Sequence, residues 1–338
     1  MNKKVFVTGG AGYIGSHVCL ELLRENYEVM VFDDLSNSSE ESVRRVELLA
    51  NRKLKLVVGD IRHEAALSDA IISFKPDTVI HFAGLKAVAQ SVSNPLLYYD
   101  VNVVGSMNLL KAMAKISCSE LIFSSSATVY GDVSTPPFKE TDPVLPTSPY
   151  GRSKLIVENI LSDWVELCAS NRAVVLRYFN PVGAHESGLL GENPRDTPSN
   201  LMPLIAQTAQ KHRSYLSIFG SDYETRDGTG ERDYIHVCDL AHGHLKAAEK
   251  IRDLSKFQIL NLGTGNSVTV LELINMFQHA NDVHVPTRLS ARRPGDVAKS
   301  FADPSLAKDL IGFKCQKTVK QMCIDTWSWV QKNSNGHQ

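Results

Sequence analysis

A glycine-rich turn between an apolar strand and an amphipathic helix constrains the fold of this chain more than any other feature. Residues 4–8 are a short run of β-favouring side chains, typical of a buried parallel strand. Gly9, Gly12 and Gly15 follow, and an apolar helical pattern begins directly after them. Such glycines allow a tight turn, close approach of the backbone to a pyrophosphate, and close packing of helix on strand. The helix start offers N–H groups to phosphates. The sequence therefore predicts a dinucleotide site.

A carboxylate at the end of the second predicted strand favours NAD over NADP. Asp33 ends the run 28–33, about 20 residues beyond the glycines, where a carboxylate accepts from the adenosine ribose hydroxyls. It would repel a 2′-phosphate, and no arginine follows immediately. The spacing is G-x-x-G-x-x-G instead of G-x-G-x-x-G, so the flanking strands carry much of this prediction. In the alternative interpretation, Asp33 only caps the segment that follows it.

Alternating strands and helices predict an α/β fold with a doubly wound parallel sheet of the Rossmann type. Strands are predicted at residues 4–8, 28–33, 54–58, 78–82, 120–124 and 173–177, with 258–262 returning to the sheet.

The chain divides into a nucleotide-binding domain and a smaller carboxyl-terminal α/β substrate domain. We expect an NAD-binding Rossmann domain over residues 1–180, with its sheet completed by about 230–262. The substrate domain takes 181–229 and 263–338, and it contains long loops over 181–200 and 220–230.

The composition limits which binding partners and which cellular compartment are expected. A chain of 338 residues, 43% apolar and with a net charge of −1, has no electrostatic footprint for nucleic acid or an anionic membrane. No apolar run reaches the roughly 18 residues of a membrane span. The six cysteines form no C-x-x-C pair, which indicates reduced thiols in a cytoplasmic protein, and the eleven histidines show no metal-ligand spacing. No metal is predicted.

Tyr150 and Lys154 are the candidate catalytic pair. They follow Ser148 and Pro149, which predict a helix start, and the i, i+4 spacing puts both side chains on one face. An ammonium there would lower the tyrosine pKa from its usual value of about 10, as a general base for an alcohol proton requires. In the alternative interpretation they are only surface neighbours.

The carboxyl ends of the predicted strands carry further candidate ligand contacts, because ligands of open parallel sheets bind there. Asp60 and Ile61 follow the third strand and are placed to flank an adenine. Ser126 follows the end of the fifth strand, where its hydroxyl could share a substrate oxygen with Tyr150. In the alternative interpretation, Asp60 and the serines are ordinary turn residues.

These segments resemble a known family. Residues 8–17 resemble the cofactor loop of extended short-chain dehydrogenases. The chain is similar to UDP-glucose 4-epimerases from about residue 3 to 330, in particular over residues 81–88, 123–131, 176–184 and 227–237.

The resemblance implies an NAD that is reused and a UDP-sugar substrate. Tyr150, supported by Lys154 and Ser126, would take the 4-hydroxyl proton while C4 of the sugar gives its hydride to the nicotinamide. The 4-keto sugar then turns, and the hydride returns to its opposite face. The family also implies a homodimer, for which residues 103–113 and 156–167 are candidate helices, with core packing as the alternative.

The resemblance also implies two sets of binding residues. The cofactor set is Gly9, Gly12, Tyr13, Ile14, Gly15, Asp33, Asn37, Asp60, Ile61, Phe82, Ala83, Gly84, Lys86, Asn102, Ser124, Tyr150, Lys154 and Tyr178. The UDP-sugar set is Lys86, Ser126, Tyr150, Phe179, Asn180, Asn200, Leu201, Ser217, Phe219, Arg232, Tyr234, Arg293, Asp296 and Ser300. For Arg292 and Arg293 the alternative is a solvated charge pair.

Ser300 bears on the substrate. Family members restricted to glucose and galactose often carry a tyrosine at the matching position, and members that take N-acetylated sugars carry a small residue. A 2-acetamido group needs room that a phenol ring would deny. The sequence therefore predicts activity on UDP-GlcNAc and UDP-GalNAc as well. Rival functions are a sugar-nucleotide 4,6-dehydratase or decarboxylase, or a non-catalytic NAD-sensing module.

Overall fold

A central parallel sheet organises the molecule, which a computed structural model describes over residues 3–194, 198, 200–293 and 296–333. The strands are β1 (Lys4–Thr8), β2 (Glu28–Asp33), β3 (Lys55–Val58), β4 (Thr78–His81), β5 (Glu120–Ser126), β6 (Arg172–Tyr178), β7 (Asn180–Val182), β8 (Leu216–Phe219), β9 (Glu231–Arg232), β10 (Tyr234–His236), β11 (Phe257–Leu262), β12 (Val268–Thr269), β13 (Thr287–Ser290) and β14 (Lys299–Ser300). The α-helices are α1 (Tyr13–Arg24), α2 (Glu40–Ala50), α3 (Glu64–Phe74), α4 (Val88–Ser93), α5 (Pro95–Tyr99), α6 (Gly105–Ala114), α7 (Pro149–Glu166), α8 (Leu201–Ala209), α9 (Val237–Lys250), α10 (Val270–Asn281), α11 (Ser305–Ile311) and α12 (Val319–Lys332). A π-helical turn spans Asp100–Val104, and a 3₁₀ turn spans Ala127–Val129.

The sheet has seven strands in the order β11-β6-β5-β4-β1-β2-β3, and every neighbouring pair is parallel. This confirms the predicted fold class. Each predicted strand is present, including the last, which pairs with β6 at the sheet edge. The chain order reverses on either side of β1, which lies between β2 and β4. In such sheets the ligand crevice opens at this reversal, beyond the carboxyl ends of the strands.

Helices cover both faces of the sheet because its strands are apolar on both sides. One core joins the sheet to α1, α2 and α9, with Val18, Val43 and Leu245 among its buried members. The other joins the opposite face to α3, α6 and α7, where Leu67 and Leu161 are buried. This double cover fixes the sheet rigidly, so its strand ends can hold a site.

The carboxyl-terminal part contributes a third core and three small sheets. Helices α8, α10 and α12 pack together through buried side chains, among them Met202, Ile274 and Met322. The small sheets pair β10 with β7, β13 with β8, and β9 with β12 and β14. Within 181–200 the described residues are loop after β7 ends, and 220–230 is loop or bend, as predicted. The exact domain boundaries stay a prediction.

Two further observations concern partners, and both refer to the residues that the structure describes. None of their helices combines the length and apolarity needed to cross a membrane. No group of three or more His, Cys, Asp or Glu side chains among them is placed to hold a metal ion.

Candidate active site

The glycine turn is tight at two positions and open at the third. Gly9 has φ +70°, and a Cβ there would lie 2.6 Å from the Ala83 nitrogen. A Cβ on Gly15 would lie 2.3 Å from the Gly9 carbonyl oxygen. At Gly12 the nearest atom is that same oxygen at 3.3 Å, and nothing else lies within 4 Å. The turn thus presents bare backbone at Gly12, which fits the close approach of a pyrophosphate.

The first turn of α1 faces the same opening. Gly12 is the N-cap, and no side chain caps the helix. The predicted contacts Tyr13 and Ile14 begin the helix, so their backbone N–H groups lie at its positive end. The Tyr13 hydroxyl donates to the Gly183 carbonyl at 2.6 Å. Its side chain therefore ties the turn to the loop after β7, and its backbone remains suited to the cofactor.

Asp33 shapes the loop beyond β2. Its Oδ2 accepts from the Ala11 nitrogen at 3.0 Å, and its Oδ1 accepts from Leu35 N at 2.9 Å and Ser38 Oγ at 2.7 Å. Burial raises the pKa of this carboxyl, and the hydrogen bonds oppose that effect. The capping role is therefore real, and the ribose contact stays a prediction. Asn37 lies exposed in the same turn.

Asp60 and Ile61 follow β3, but each has a local partner. The Asp60 carboxylate receives both side-chain and backbone bonds from Arg62, and this holds the pKa of Asp60 below its usual range. Ile61 packs on Gly105, where a Cβ would lie 2.4 Å from Ile61 Cδ1. These contacts fit the turn interpretation of Asp60. Contact with adenine stays a prediction, and the pairing of Asp60 with Arg62 was not predicted.

Asn102 holds the loop after β4 against α7. This buried amide lies in the π-helical turn, a distortion that is frequent at functional sites. Its Oδ1 accepts from Leu85 N at 2.8 Å, and its Nδ2 donates to Leu85 O at 3.1 Å and Ser153 Oγ at 2.9 Å. It thereby positions Gly84, whose missing Cβ would lie 3.0 Å from Asn102 Oδ1.

Two more predicted cofactor residues start the same loop, and a third ends β6. Ala83 donates its N–H to the Thr8 carbonyl at 3.2 Å, so it lies against the glycine turn. The Phe82 ring packs on His244 with centres 4.9 Å apart. The same histidine shares a hydrogen bond of 2.8 Å with the Tyr178 hydroxyl. Burial keeps the pKa of Tyr178 well above its usual value, and the hydrogen bond to His244 gives this phenol a structural partner.

Tyr150 lies at the first turn of α7, as predicted. Ser148 is the N-cap and accepts from Gly151 N at 3.1 Å, and a proline occupies the first turn. Tyr150 is half-buried, and the Tyr98 ring packs edge-on against it at 6.5 Å. Ser126 Oγ accepts from the Thr128 nitrogen and hydroxyl at 3.2 and 3.0 Å. Ser126 therefore keeps its own proton to donate elsewhere.

The predicted effect of Lys154 on the pKa of Tyr150 stays a prediction. Burial raises the pKa of Tyr150, and the side chain that lowers it is Ser126. Lys154 Nζ lies 5.9 Å from the centre of the Tyr150 ring and donates to the Ser124 carbonyl at 2.7 Å. The two side chains share a helix face, but the ammonium is directed to the strand end.

Lys154 is buried, and this changes its own charge equilibrium. Burial lowers the pKa of Lys154 to about 8, and Glu158 partly opposes the shift. The Phe123 ring lies 4.9 Å from its Nζ. Because an ammonium has three donors, N–H groups remain for a cofactor hydroxyl after Ser124 has taken one.

Alternation along β5 explains which serines face the cleft. Ser125 points the other way and donates to Glu158, which also forms a buried ion pair with Arg177. Ser124 and Ser126 flank it and lie on the cleft side, as period two requires. The sequence did not predict the Glu158–Arg177 pair, although an alternating strand with serines on both faces is a signal of a buried polar partner.

Three of the predicted UDP contacts come together in the carboxyl-terminal part. The Arg293 guanidinium lies over the Phe219 ring at 4.7 Å, and its Nε donates to Asp296 at 2.9 Å. Phe219 and the half-buried Ser217 belong to β8. Arg292 binds Asp222 instead, as a solvated pair. The cluster of Phe219, Arg293 and Asp296 offers an aromatic face, which suits a uracil ring, and a cation, which suits a phosphate.

Arg232 and Ser300 are direct neighbours on paired strands, β9 and β14. Arg232 Nη1 donates to the Glu231 carbonyl at 2.8 Å. Phe179 is buried in an aromatic cluster that includes Ala302. Ser300 thus lies on the strand that leads into the cluster around Phe179.

Asn180 and Tyr234 pair across β7 and β10 but differ in exposure. Asn180 is exposed, whereas Tyr234 is buried in the third apolar core, and burial raises its pKa. The Tyr234 side chain is therefore a packing residue, and its contact with substrate stays a prediction.

Lys86 and Asn200 converge on a residue that the sequence did not single out. Glu192 Oε1 accepts from Lys86 Nζ at 2.8 Å and from Asn200 Nδ2 at 3.2 Å. Asn200 is the N-cap of α8, with Leu201 as its first residue. A pairing over 106 residues carries no local sequence signal.

The chain matches known proteins over nearly its whole length. Residues 6–326 match the family model described as GDP-mannose 4,6 dehydratase. A UDP-glucose 4-epimerase of Bacillus subtilis is 47% identical over 334 residues, which cover 99% of this chain and 98% of the relative. The chain belongs to the UDP-glucose 4-epimerase family.

Solved structures of this family agree. A UDP-glucose 4-epimerase from Stenotrophomonas maltophila with bound NAD and formylated UDP-arabinopyranose is 46% identical, with a TM-score of 0.96, covering 98% of this chain and 99% of that one. A UDP-glucose 4-epimerase from Bifidobacterium longum in complex with NAD+ and UDP is 44% identical, with a TM-score of 0.95, covering 99% of this chain and all of that one (100%). The resemblance read from the sequence is confirmed.

Proposed function

We propose that this protein interconverts UDP-glucose and UDP-galactose by inverting C4 of the hexose, with NAD as a bound and recycled cofactor. The observation that carries the proposal is the grouping of Tyr150, Ser126 and Lys154 at one strand end, at the same carboxyl edge of the sheet as the open Gly12 backbone. Membership of the epimerase family supports the same reaction.

The residues of this chain move one proton in each half of the reaction. Tyr150 Oη takes the proton of the sugar 4-hydroxyl and later returns one to O4. When bound, NAD supplies the acceptor for the hydride of C4 and gives it back. The Ser126 hydroxyl donates a hydrogen bond to Tyr150 Oη or to O4. The hydrogen bond between Ser126 and Tyr150 lowers the pKa of the phenol, which burial has raised. Lys154 uses its remaining N–H groups to orient the cofactor.

The UDP moiety is the anchor that lets the sugar turn. Arg293, Phe219 and Asp296 form a cluster on the carboxyl-terminal part, away from the reacting carbon in the chemistry proposed here. Binding energy placed on a non-reacting group holds the substrate while the hexose rotates. Arg232 lies on the neighbouring strand pair and is suited to a second phosphate contact.

A 4,6-dehydratase function, which the matched family model names, finds no support at the catalytic strand end. Such chemistry needs an acid beside the serine to work at C5 or C6. Here Thr128 contacts Ser126, and the nearby carboxylate Glu158 is paired with Arg177 and Ser125 on the opposite face of β5. A non-catalytic NAD-sensing role leaves the Tyr150–Ser126 contact unexplained.

We also propose that the substrates include UDP-GlcNAc and UDP-GalNAc. Ser300 is half-buried beside Arg232, and its small side chain supports this proposal. Ser300→Tyr should abolish turnover of the acetamido pair and spare the plain hexoses. The test is to assay all four UDP-sugars with wild type and variant by product chromatography. Acetamido turnover that survives in the variant would overturn this part of the proposal.

The proposed assembly is a homodimer in the cytoplasm. Exposed apolar side chains occur on α4, α5, α6 and α7, among them Val92, Leu96, Met107 and Ile156. All six cysteines are free, which suits a reducing compartment. Ile156→Glu should yield monomers in analytical ultracentrifugation, and an unchanged assembly would contradict this interface.

A further inference from the structure

Glu192 lies where two halves of the cleft meet and binds a donor from each. Lys86 follows β4 of the nucleotide-binding sheet, and Asn200 starts α8 of the carboxyl-terminal part. The Glu192 side chain is only 12% exposed. The Glu192 backbone carbonyl accepts a hydrogen bond from Trp329 Nε1 at 3.2 Å, and this holds Glu192 against α12, to which Trp329 belongs.

The two donors on Glu192 are ones that we assign to the substrate. A carboxylate and a phosphate accept the same charge-assisted hydrogen bonds, so Glu192 occupies these donors as an anion would. The dipole of α8 adds positive potential at Asn200, and no side chain caps that helix. Two anions placed against the same ammonium and amide repel each other, so a bound diphosphate competes with Glu192 for these donors.

We propose that Glu192 is an internal anion that competes with the substrate diphosphate for Lys86 and Asn200 and so weakens nucleotide binding. The inference rests on the proposed function, since it takes Lys86 and Asn200 as diphosphate contacts. Its consequence is that the cleft holds UDP less tightly than its donors allow. The product of the proposed reaction is a UDP-hexose like the substrate, so weaker binding of the UDP moiety helps the enzyme to release it.

The test is the dissociation constant of UDP for NAD-loaded protein by titration calorimetry. Glu192→Gln removes the charge and keeps the size of the side chain, and it should tighten UDP binding roughly two- to fivefold, the value of one partly exposed ion pair. Uridine lacks the phosphates, so its affinity, measured by competition, should not change. In a Lys86→Met background, the gain from Glu192→Gln should shrink.

Each other outcome has a defined meaning. Glu186→Gln is the matched control, since Glu186 pairs with Lys317 at 3.6 Å in the same loop, and its UDP affinity should equal that of wild type. Equal or weaker UDP binding by Glu192→Gln would show that Glu192 merely supports the donors and would overturn the inference alone. An equal gain for uridine would also overturn it. Failure of the wild type to bind UDP would overturn the proposed function as well.

Discussion

Replacing Gly12 and Gly15 by alanine, one at a time, separates the fold of the glycine turn from its ligand site. A methyl group on Gly15 would lie 2.3 Å from the Gly9 carbonyl oxygen and 2.8 Å from Gly10 Cα. Both are backbone atoms, so the turn must shift, at a cost of about 1–3 kcal/mol. Gly15→Ala should therefore lower the thermal midpoint of the protein.

Gly12→Ala should behave in the opposite way. Its methyl group meets one atom at 3.3 Å, and loss of a glycine N-cap costs less than about 1 kcal/mol, so stability should be close to wild type. The methyl group would, however, fill the open side where the pyrophosphate is expected. NAD binding should weaken at least tenfold, which corresponds to about 1.4 kcal/mol.

The assay compares NAD content after purification with thermal unfolding of the stripped proteins. Stripping matters because bound NAD stabilises the folded state by itself. A Gly12→Ala protein that retains NAD as wild type does would refute the assignment of this surface. A Gly15→Ala protein of unchanged stability would refute the contact argument.

Two further predictions concern the charged residues of the site. Burial lowers the pKa of Lys154 to about 8, so its charge is lost as the pH rises through that value, and kcat/KM should fall over the same range. A kcat/KM that stays flat through alkaline pH would contradict a role for the ammonium. Arg293→Ala removes the cation over Phe219, and loss of a charged hydrogen bond worth about 1.5–3 kcal/mol should raise KM for UDP-sugars roughly 10- to 150-fold with little change in kcat. A KM equal to that of wild type in steady-state assays would show that Arg293 does not bind the substrate.

The sheet could be predicted from the sequence because its strands are continuous apolar runs that end in small or polar residues. Even the return strand 257–262 was recognisable by its composition. The glycine turn and the start of α7 were equally local, since a serine and a proline define that start within a few residues.

Contacts between distant segments could not be predicted in the same way. The i, i+4 spacing correctly placed Tyr150 and Lys154 on one face. The spacing does not tell how deeply a side chain is buried, and burial raises the pKa of Tyr150. The carbonyl that directs Lys154 belongs to another element, β5. Glu192 was missed because its charged partner, Lys86, lies 106 residues away in the chain.

The role of Tyr150 as the acid–base group is tested most directly by reduction of the bound cofactor in a single turnover. The reduced nicotinamide band in the near ultraviolet should grow when a UDP-hexose is mixed with NAD-loaded wild type. Tyr150→Phe should hold NAD and UDP normally but slow this reduction by about 10²- to 10⁴-fold, the contribution of a positioned general base. Reduction of the variant at the wild-type rate would contradict the account.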